Sequence, residues 1–408
     1  MSDSSPRRRR RPLTLRLKLL LPGLGVFAGL AVLEIALRLA GISYPVPYAT
    51  DQWCGSRLQS NFRGYWSKEG RAAFTTNSLG FRDKEHSIAK PAGTVRVAVL
   101  GDSYIEALQV ADDRTFARCL EDELAQQLSV DAGEVEVLSF GVSGWGTAQE
   151  LQALRHYVWQ FDPDVVLLAF LPGNDVRNNS KPLEPMQCRP FFKMQDHDLI
   201  LDDAFLKHPD YLISERVSTH RKNWIINSSR IIQLGRALRD TAAETNQATA
   251  TDADSKKQSG EAKVEDGLEE TAMVAPQAID WVQAWELTDR LIQQIAEDVQ
   301  QQRRMFAVMT IPAAVQVDPD AAVRTAMQRQ LQVTDLEYAE RRMSHLASQF
   351  DFLHIPLAEK LRATAEREHM YLHGFANTCP GTGHWNENGH REAAKVAAAS
   401  LAPVLMSR

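Results

Sequence analysis

The chain has 408 residues, of which 44% are hydrophobic and 24% are charged, and its net charge is −6. This composition is typical of a folded globular protein and excludes a fibrous or wholly disordered one. The length allows one large α/β domain with additional segments, or two small domains.

The charge is unevenly distributed along the chain. Residues 1–18 contain seven Arg and Lys residues against Asp3, so this tail carries +6 and the remaining chain carries −12. A basic tail alone could indicate nucleic-acid binding. Here it precedes an apolar run, and no basic stripe with interleaved aromatic residues follows. We therefore predict that the protein does not bind nucleic acid.

The apolar run predicts a transmembrane anchor over residues 19–41. The uncharged part, Leu19 to Leu33, is too short to cross a bilayer at 1.5 Å per residue. The run reaches a spanning length if Glu34 and Arg38, four residues apart on one helical face, pair with each other. Because basic flanks stay in the cytoplasm, residues 1–18 should be cytoplasmic and the rest periplasmic or extracellular. No small-residue cleavage site follows, which favours a retained anchor, although a buried amphipathic helix is the alternative.

Residues 42–93 are rich in turn formers and aromatic residues and predict a wrapping segment. From residue 94 to 408, β-branched apolar runs alternate with helical patterns. Such alternation predicts a three-layer α/β/α sandwich around a five-stranded parallel sheet. The predicted strands are 94–100, 135–140, 164–170, 305–311 and 352–357, and the predicted helices are 113–128, 147–160, 279–303, 336–350 and 388–401.

Two intervals depart from this alternation. Residues 178–239 predict irregular structure that carries aromatic side chains. Residues 241–276 consist mainly of Ala, Thr, Glu, Asp, Lys, Ser and Gln, with no aromatic residue. Such a segment cannot bury enough apolar surface to offset its ordering entropy, so we predict a disordered insert.

The four cysteines have no spacing typical of a metal site. If the domain is exported, one disulfide among Cys54, Cys188 and Cys379 is expected, whereas Cys119 lies in a helical pattern and should fill the core. No motif for a metal or an organic cofactor occurs. We therefore expect the protein to need neither.

Polar residues and glycines follow the first three predicted strands, and ligands collect at the carboxyl ends of parallel strands. Two residues separate Ser103 from the end of the first strand, where a helix can begin and favour negative charge. Asn174 follows the third strand and offers a side-chain NH2, and Gly141 follows the second and offers a backbone N–H. Together with the N–H of Ser103, these donors could stabilise the oxyanion formed in acyl transfer.

Four blocks in order resemble the SGNH (GDSL) hydrolase family over about residues 75 to 402. They are Gly101-Asp102-Ser103-Tyr104, with Tyr where the family name has Leu, then Phe140 to Gly144, Gly173-Asn174-Asp175 and His384-Trp385-Asn386. The lead-in Thr76 to Arg82 resembles that of membrane-anchored bacterial members. The resemblance implies a flavodoxin-like sandwich, Ser103 as nucleophile, His384 as base, and Gly141 and Asn174 as oxyanion donors.

One departure from the family pattern concerns the acid that orients the histidine. Family members usually have Asp three residues before it, but Gly381 occupies that position here. The third triad acid is therefore unknown from the sequence. A carbonyl or an acid from elsewhere orients His384, the chain works as a dyad, or catalysis has been lost.

Several other residues compete for the same roles. His354, His373 and His390 are interpreted as structural. Ser143 lies two residues after Gly141 in a near match to a nucleophile elbow, but the second glycine comes one position too early.

The sequence therefore predicts a membrane-anchored serine esterase that works through an acyl-Ser103 intermediate. Its expected substrate is an ester or an acylated glycan, such as O-acyl groups on an envelope polysaccharide. Two alternatives are an O-acyltransferase of the same fold and an inactive envelope protein that uses the cleft for binding. The sequence does not distinguish hydrolase from transferase.

Overall fold

The computed structural model describes residues 15–131, 133–196, 198–251 and 272–407. The strands are, in chain order, β1 (Tyr48–Asp51), β2 (Gly55–Leu58), β3 (Arg63–Trp66), β4 (Ala72–Thr75), β5 (Val95–Gly101), β6 (Val135–Gly141), β7 (Val165–Phe170), β8 (Phe191–Gln195), β9 (Asp198–Asp202), β10 (Met305–Thr310) and β11 (Leu353–Pro356).

The longer helices alternate with these strands. In chain order they are α1 (Leu15–Leu39), α2 (Ser103–Glu106), α3 (Phe116–Leu128), α4 (Thr147–Ala153), α5 (Pro172–Asn179), α6 (Pro209–Ser214), α7 (Val217–Ser228), α8 (Arg230–Thr251), α9 (Ile279–Gln301), α10 (Ala321–Leu331), α11 (Tyr338–Phe350), α12 (Ala358–Glu368) and α13 (Glu387–Met406).

The central sheet has the predicted five strands, all parallel, in the order β11-β10-β7-β5-β6. With the strands numbered along the chain, this is the flavodoxin-like order 2-1-3-4-5. Each strand is a nearly continuous apolar run because both of its faces are covered by helices. The predicted sheet and fold class are confirmed.

Alternate residues of each strand pack against opposite helical layers. Ala98 and Leu100 of β5 face a core with α4, α9 and α11, while Val97 and Val99 face a core with α3, α12 and α13. The result is the predicted three-layer sandwich.

Helix α1 contains a stretch, Leu20–Leu39, that is long and apolar enough to cross a membrane. Residues 1–14, most of the predicted cytoplasmic tail, lie outside the described residues.

The wrapping segment contains two antiparallel hairpins, β1–β2 and β3–β4. A short turn, residues 67–71, joins β3 to β4 and brings the wrapping segment to the carboxyl edge of the central sheet, as the contacts described below show. The sequence did not indicate these hairpins, because their strands are only four residues long.

Two expectations need correction, and a third is not tested. The interval 178–239 is not irregular, since it contains the β8–β9 hairpin and helices α6 and α7. The disordered insert stays a prediction: its residues 241–251 belong to helix α8, where Ala, Glu and Gln are good helix formers. Met273 is buried at the other end of that interval, and residues 252–271 lie outside the described residues. All four cysteines are free, so the expected disulfide is not formed.

Candidate active site

Ser103 begins helix α2 directly after strand β5. Asp102 caps this helix and accepts a hydrogen bond from the backbone N–H of Tyr104 at 3.0 Å. The turn needs a glycine at position 101, because a Cβ there would lie 2.4 Å from a side-chain carbon of Ile105. The sharp change from strand to helix therefore presents the serine hydroxyl at the carboxyl edge of the sheet.

His384 lies in the loop before α13 and reaches Ser103 across 281 residues of sequence. Its Nε2 is 2.9 Å from the Ser103 Oγ, which is hydrogen-bond distance. Both residues are buried, with 2% of Ser103 and 5% of His384 exposed. The structure thus brings together the two side chains that the sequence assigned as nucleophile and base.

The carboxylate of Glu69, in the turn between β3 and β4, contacts His384 on its other side. Its Oε2 is 2.5 Å from the His384 Nδ1, and its Oε1 accepts from the His384 backbone N–H at 2.9 Å. A proton held on Nδ1 by this carboxylate leaves Nε2 free to accept the proton of the Ser103 hydroxyl. Glu69, His384 and Ser103 therefore form a continuous acid–imidazole–hydroxyl line.

The close approach of Glu69 depends on a glycine. Gly383 has a φ of +73°, and a Cβ there would lie 2.2 Å from the Glu69 Oε1. The other side of the contact is held by Asn377. Its Oδ1 accepts from the Gly70 N–H at 3.0 Å, and its Nδ2 donates to the carbonyls of Ser67 and Gly70 at 3.1 Å. Asn377 therefore fixes the turn that carries Glu69 against the histidine loop.

Tyr104, next to the serine, contacts the loop that carries His384 through its buried side chain. Its hydroxyl donates to the Gly383 carbonyl at 3.1 Å, and His373 Nδ1 lies 2.9 Å from the same oxygen. The Tyr104 ring also packs on His384, with centroids 5.1 Å apart. Burial lowers the pKa of His373 to about 4, so its ring is neutral at pH 7 and can donate from Nδ1.

The surroundings of the site favour an ionised Glu69 and neutral carboxyl groups at Glu150 and Asp175. Burial alone would raise the pKa of Glu69, but the hydrogen bonds and the charge of His384 outweigh it and hold the pKa below its usual value. Burial and neighbouring acids, among them Asp102, raise the pKa of Glu150 and Asp175 well above their usual values. We expect both of these carboxyl groups to be protonated at neutral pH.

Asn174, at the start of α5, is placed beside the serine turn. Its Nδ2 donates to Asp102 Oδ2 at 2.8 Å, and its Oδ1 accepts from Asn178 Nδ2 at 2.9 Å. Asn178 also donates to the carbonyl of Gly144 at 2.9 Å. Because Oδ1 is engaged by Asn178, the NH2 group of Asn174 is directed toward the residue that precedes Ser103.

Gly141 ends strand β6, and its register partner is Gly101. The Val142 N–H donates to the carbonyl at the end of β5, whereas the Ser139 N–H donates to Asp83 on the opposite side. Since directions alternate along a strand, the Gly141 N–H faces away from β5, as that of Ser139 does. A Cβ at Gly141 would lie 2.6 Å from the backbone of α2. Gly141 therefore provides space for the helix that begins with Ser103.

The competing residues have other partners. Ser143 donates to Glu106, and the His354 ring contacts Thr310 and Ser344, each at 2.9 Å. His390 is buried against Trp385, with ring centroids 5.7 Å apart.

Gly381, at the family's usual acid position, has a φ of +79°. A Cβ there would point at the ring of Tyr371, 3.0 Å away. The carboxylate that contacts the imidazole is therefore provided by a different part of the chain.

No protein-family model and no curated protein matches the chain. The structure is similar to an acetyl xylan esterase, AlAXEase, at 12% identity and a TM-score of 0.39, covering 75% of this chain and 100% of that one. It is similar to the lipase Lip_vut3 from a goat rumen metagenome at 12% identity and a TM-score of 0.38, covering 75% and 97%. It is also similar to a lipolytic protein of the G-D-S-L family from Desulfitobacterium hafniense DCB-2 at 11% identity and a TM-score of 0.34, covering 75% and 99%.

Sequence reasoning missed Glu69 because the residue is 315 positions from His384. The surrounding Lys68-Glu69-Gly70 marks only a turn, and nothing local connects it to the histidine. The one signal was indirect, since Gly381 indicated that an acid had to come from elsewhere.

Proposed function

We propose that this chain is an SGNH-type serine hydrolase that cleaves ester bonds. The observation that carries the proposal is the line from the Glu69 carboxylate through the His384 imidazole to the Ser103 hydroxyl, with contacts of 2.5 Å and 2.9 Å. Serine acyl transfer needs these three groups in this order. The main argument for an inactive binding protein was the glycine at position 381, where the family has an acid. That argument weakens because Glu69 contacts His384 in place of the missing acid.

The proposed reaction has two halves. The Ser103 Oγ attacks the ester carbonyl while its proton passes to His384 Nε2, and Glu69 stabilises the resulting imidazolium. Collapse of the tetrahedral intermediate breaks the bond to the alcohol, which leaves with the proton from Nε2, and the acyl group remains on Ser103. Water then attacks this acyl group and gives a proton to Nε2. The bond from the acyl carbon to the Ser103 Oγ breaks, Oγ takes the proton back from Nε2, and the acid is released.

We infer that the oxyanion is held by the backbone N–H of Ser103 and the Nδ2 of Asn174. For the third donor we propose Gly144 in place of Gly141. Gly144 has a φ of +75° in the loop after β6, and Asn178 links its carbonyl to the amide oxygen of Asn174. This link supports a position for the Gly144 N–H beside the Asn174 side chain.

The membrane anchor and the substrate class are also proposals. The apolar stretch Leu20–Leu39 and the preceding basic residues support a single span with the N-terminus in the cytoplasm. The catalytic domain would then face the periplasm or the outside. We propose O-acyl groups of an exported polysaccharide as its substrate, because such esters lie on that side of the membrane.

The test is the rate at which the full chain in detergent hydrolyses p-nitrophenyl acetate. Wild type should show turnover, and Ser103→Ala should reduce it to background. Ser143→Ala is the matched control, since Ser143 also follows a sheet strand but donates to Glu106. Ser143→Ala should retain turnover, and turnover that survives in Ser103→Ala would exclude Ser103 as the nucleophile.

A further inference from the structure

Helices α7 and α8 carry large apolar side chains that face outward. Val217, Trp224 and Ile225 share one face of α7, at intervals of seven and eight residues, and are 67%, 72% and 49% exposed. Ile232 and Leu238 of α8 are 42% and 63% exposed. Single exposed apolar residues are ordinary, but this group is concentrated on two consecutive helices.

The same helices are strongly basic. Residues 216–239 contain six Arg and Lys residues and neither Asp nor Glu, although the whole chain has a net charge of −6. The basic residues are Arg216, Arg221, Lys222, Arg230, Arg236 and Arg239, of which Arg236 and Arg239 form ion pairs with Asp240, the next residue of α8. Exposed apolar side chains, a tryptophan and an excess of basic residues form the pattern of helices that lie in the headgroup region of a membrane.

Direct contacts attach the junction of α7 and α8 to helix α1. The Glu34 carboxylate accepts from the backbone N–H groups of Arg230 and Ile231 at 3.0 Å and 3.1 Å, and from the Ser229 hydroxyl at 2.9 Å. Arg38 donates to the Ser228 carbonyl at 3.0 Å. Glu34 thus satisfies the free N–H groups that begin α8.

These contacts determine how deep the junction of α7 and α8 would lie in a bilayer crossed by α1. Glu34 lies five residues before Leu39, where the apolar stretch ends, so the junction is about 7.5 Å along the helix axis from that end at 1.5 Å per residue. If α1 spans a membrane, α7 and the start of α8 are held at the boundary between headgroups and acyl chains.

We propose that α7 and the first part of α8 form a lipid-docking surface that lies on the bilayer crossed by α1 and binds anionic lipid headgroups. This inference rests on the proposed membrane span. In it, the apolar face of α7 inserts among the headgroups, Trp224 reaches the acyl boundary, and the basic residues contact lipid phosphates. The hydrolase domain is then held against the membrane surface by two attachments.

The test uses the full chain in vesicles of phosphatidylcholine with about one third phosphatidylglycerol, a content that supplies a negative surface. Part of the lipid carries bromine at carbons 6 and 7 of one acyl chain, which quenches nearby tryptophan fluorescence. The chain has eight tryptophans, so Trp224→Phe and Trp53→Phe are compared with wild type. Trp53 is the control because it is partly exposed but stacks on the His156 ring, with centroids 3.6 Å apart.

Most of the tryptophan fluorescence that the brominated lipid quenches should be lost in Trp224→Phe and retained in Trp53→Phe. Arg221→Gln combined with Lys222→Gln should weaken docking by a factor of about thirty, because each basic residue near an anionic surface contributes a factor of about five. Hydrolysis of a soluble ester should stay unchanged in this double variant.

Sodium carbonate extraction separates the two proposals. Protein that resists extraction but shows equal quenching in wild type and Trp224→Phe would retain the anchor and overturn the docking surface. Protein that carbonate releases would overturn the anchor, and the docking surface with it.

Discussion

Replacing Glu69 by glutamine tests whether this residue is the acid that the histidine requires. Both Glu69 oxygens accept hydrogen bonds from His384, one from the backbone N–H at 2.9 Å and one from Nδ1 at 2.5 Å. Glutamine has the same shape but only one acceptor oxygen. Its NH2 group must therefore face one of the two N–H donors of His384, which is repulsive. If the amide oxygen stays with the backbone N–H, the NH2 group faces Nδ1 and drives the imidazole proton to Nε2. That tautomer cannot take the proton of Ser103.

The magnitude follows from this loss. In serine proteases, a triad acid changed to its amide lowers kcat by about 10⁴-fold, because the histidine adopts the wrong tautomer. A loss of that size in Glu69→Gln equals about 5.5 kcal/mol of transition-state stabilisation at 1.36 kcal/mol per tenfold. The KM should change little, since both oxygens of Glu69 are directed at His384. Glu69→Asp, which keeps the charge but is one methylene shorter, should fall between wild type and Glu69→Gln.

The assay is the kcat for p-nitrophenyl acetate between pH 5 and 9, with folding checked by circular dichroism. Lys68→Gln is the control, because it lies on the same turn, is exposed, and has its ammonium over the Trp66 ring. It should retain wild-type activity. A correctly folded Glu69→Gln protein with a kcat within tenfold of wild type would refute the role assigned to Glu69.

Two further predictions concern the glycine beside Glu69 and a buried histidine. Gly383→Ala should reduce kcat by at least 100-fold, because its Cβ would lie 2.2 Å from Glu69, and its positive φ should cost about 1–3 kcal/mol of stability. Gly93→Ala, at a φ of +81° in open space, should cost similar stability but no activity, and equal activity loss in both would contradict this. Burial lowers the pKa of His390 to about 3, so between pH 6.5 and 3 the unfolded chain binds a proton that the folded chain does not, and stability falls on acidification. His390→Leu should remove about 2 kcal/mol of the loss between pH 7 and pH 5, measured by urea unfolding at both values, and an unchanged loss would contradict the assignment.

The sheet could be predicted because a buried parallel strand leaves a continuous apolar run closed by a turn. The predicted run 94–100 became Val95–Gly101, and 305–311 became Met305–Thr310. Ser103 and His384 could be placed because each lies next to a recognisable block at the edge of this sheet. Their contact follows from the topology that the alternating pattern predicts.

The remainder could not be predicted because it depends on contacts between distant segments. Glu69 reaches the imidazole from a hairpin turn of the wrapping segment, and the turn is held by Asn377, 307 residues from Gly70. Helix α7 was not predicted because its apolar residues do not form a single core-facing stripe. Val217 and Trp224 are exposed, whereas Ile226 is buried. The sequence assigned a donor role to Gly141 because this residue directly follows a strand, whereas the direction of its N–H emerges only from the register of β6 with β5.

The most direct measurement of the central claim is the mass of the full chain after reaction with a fluorophosphonate, followed by peptide mapping. We predict one adduct per chain, carried by the peptide that contains Ser103, and its formation should slow at least 100-fold in His384→Ala. An unmodified chain, under conditions that fully label a control serine esterase, or an adduct on a different serine would contradict a nucleophile at Ser103.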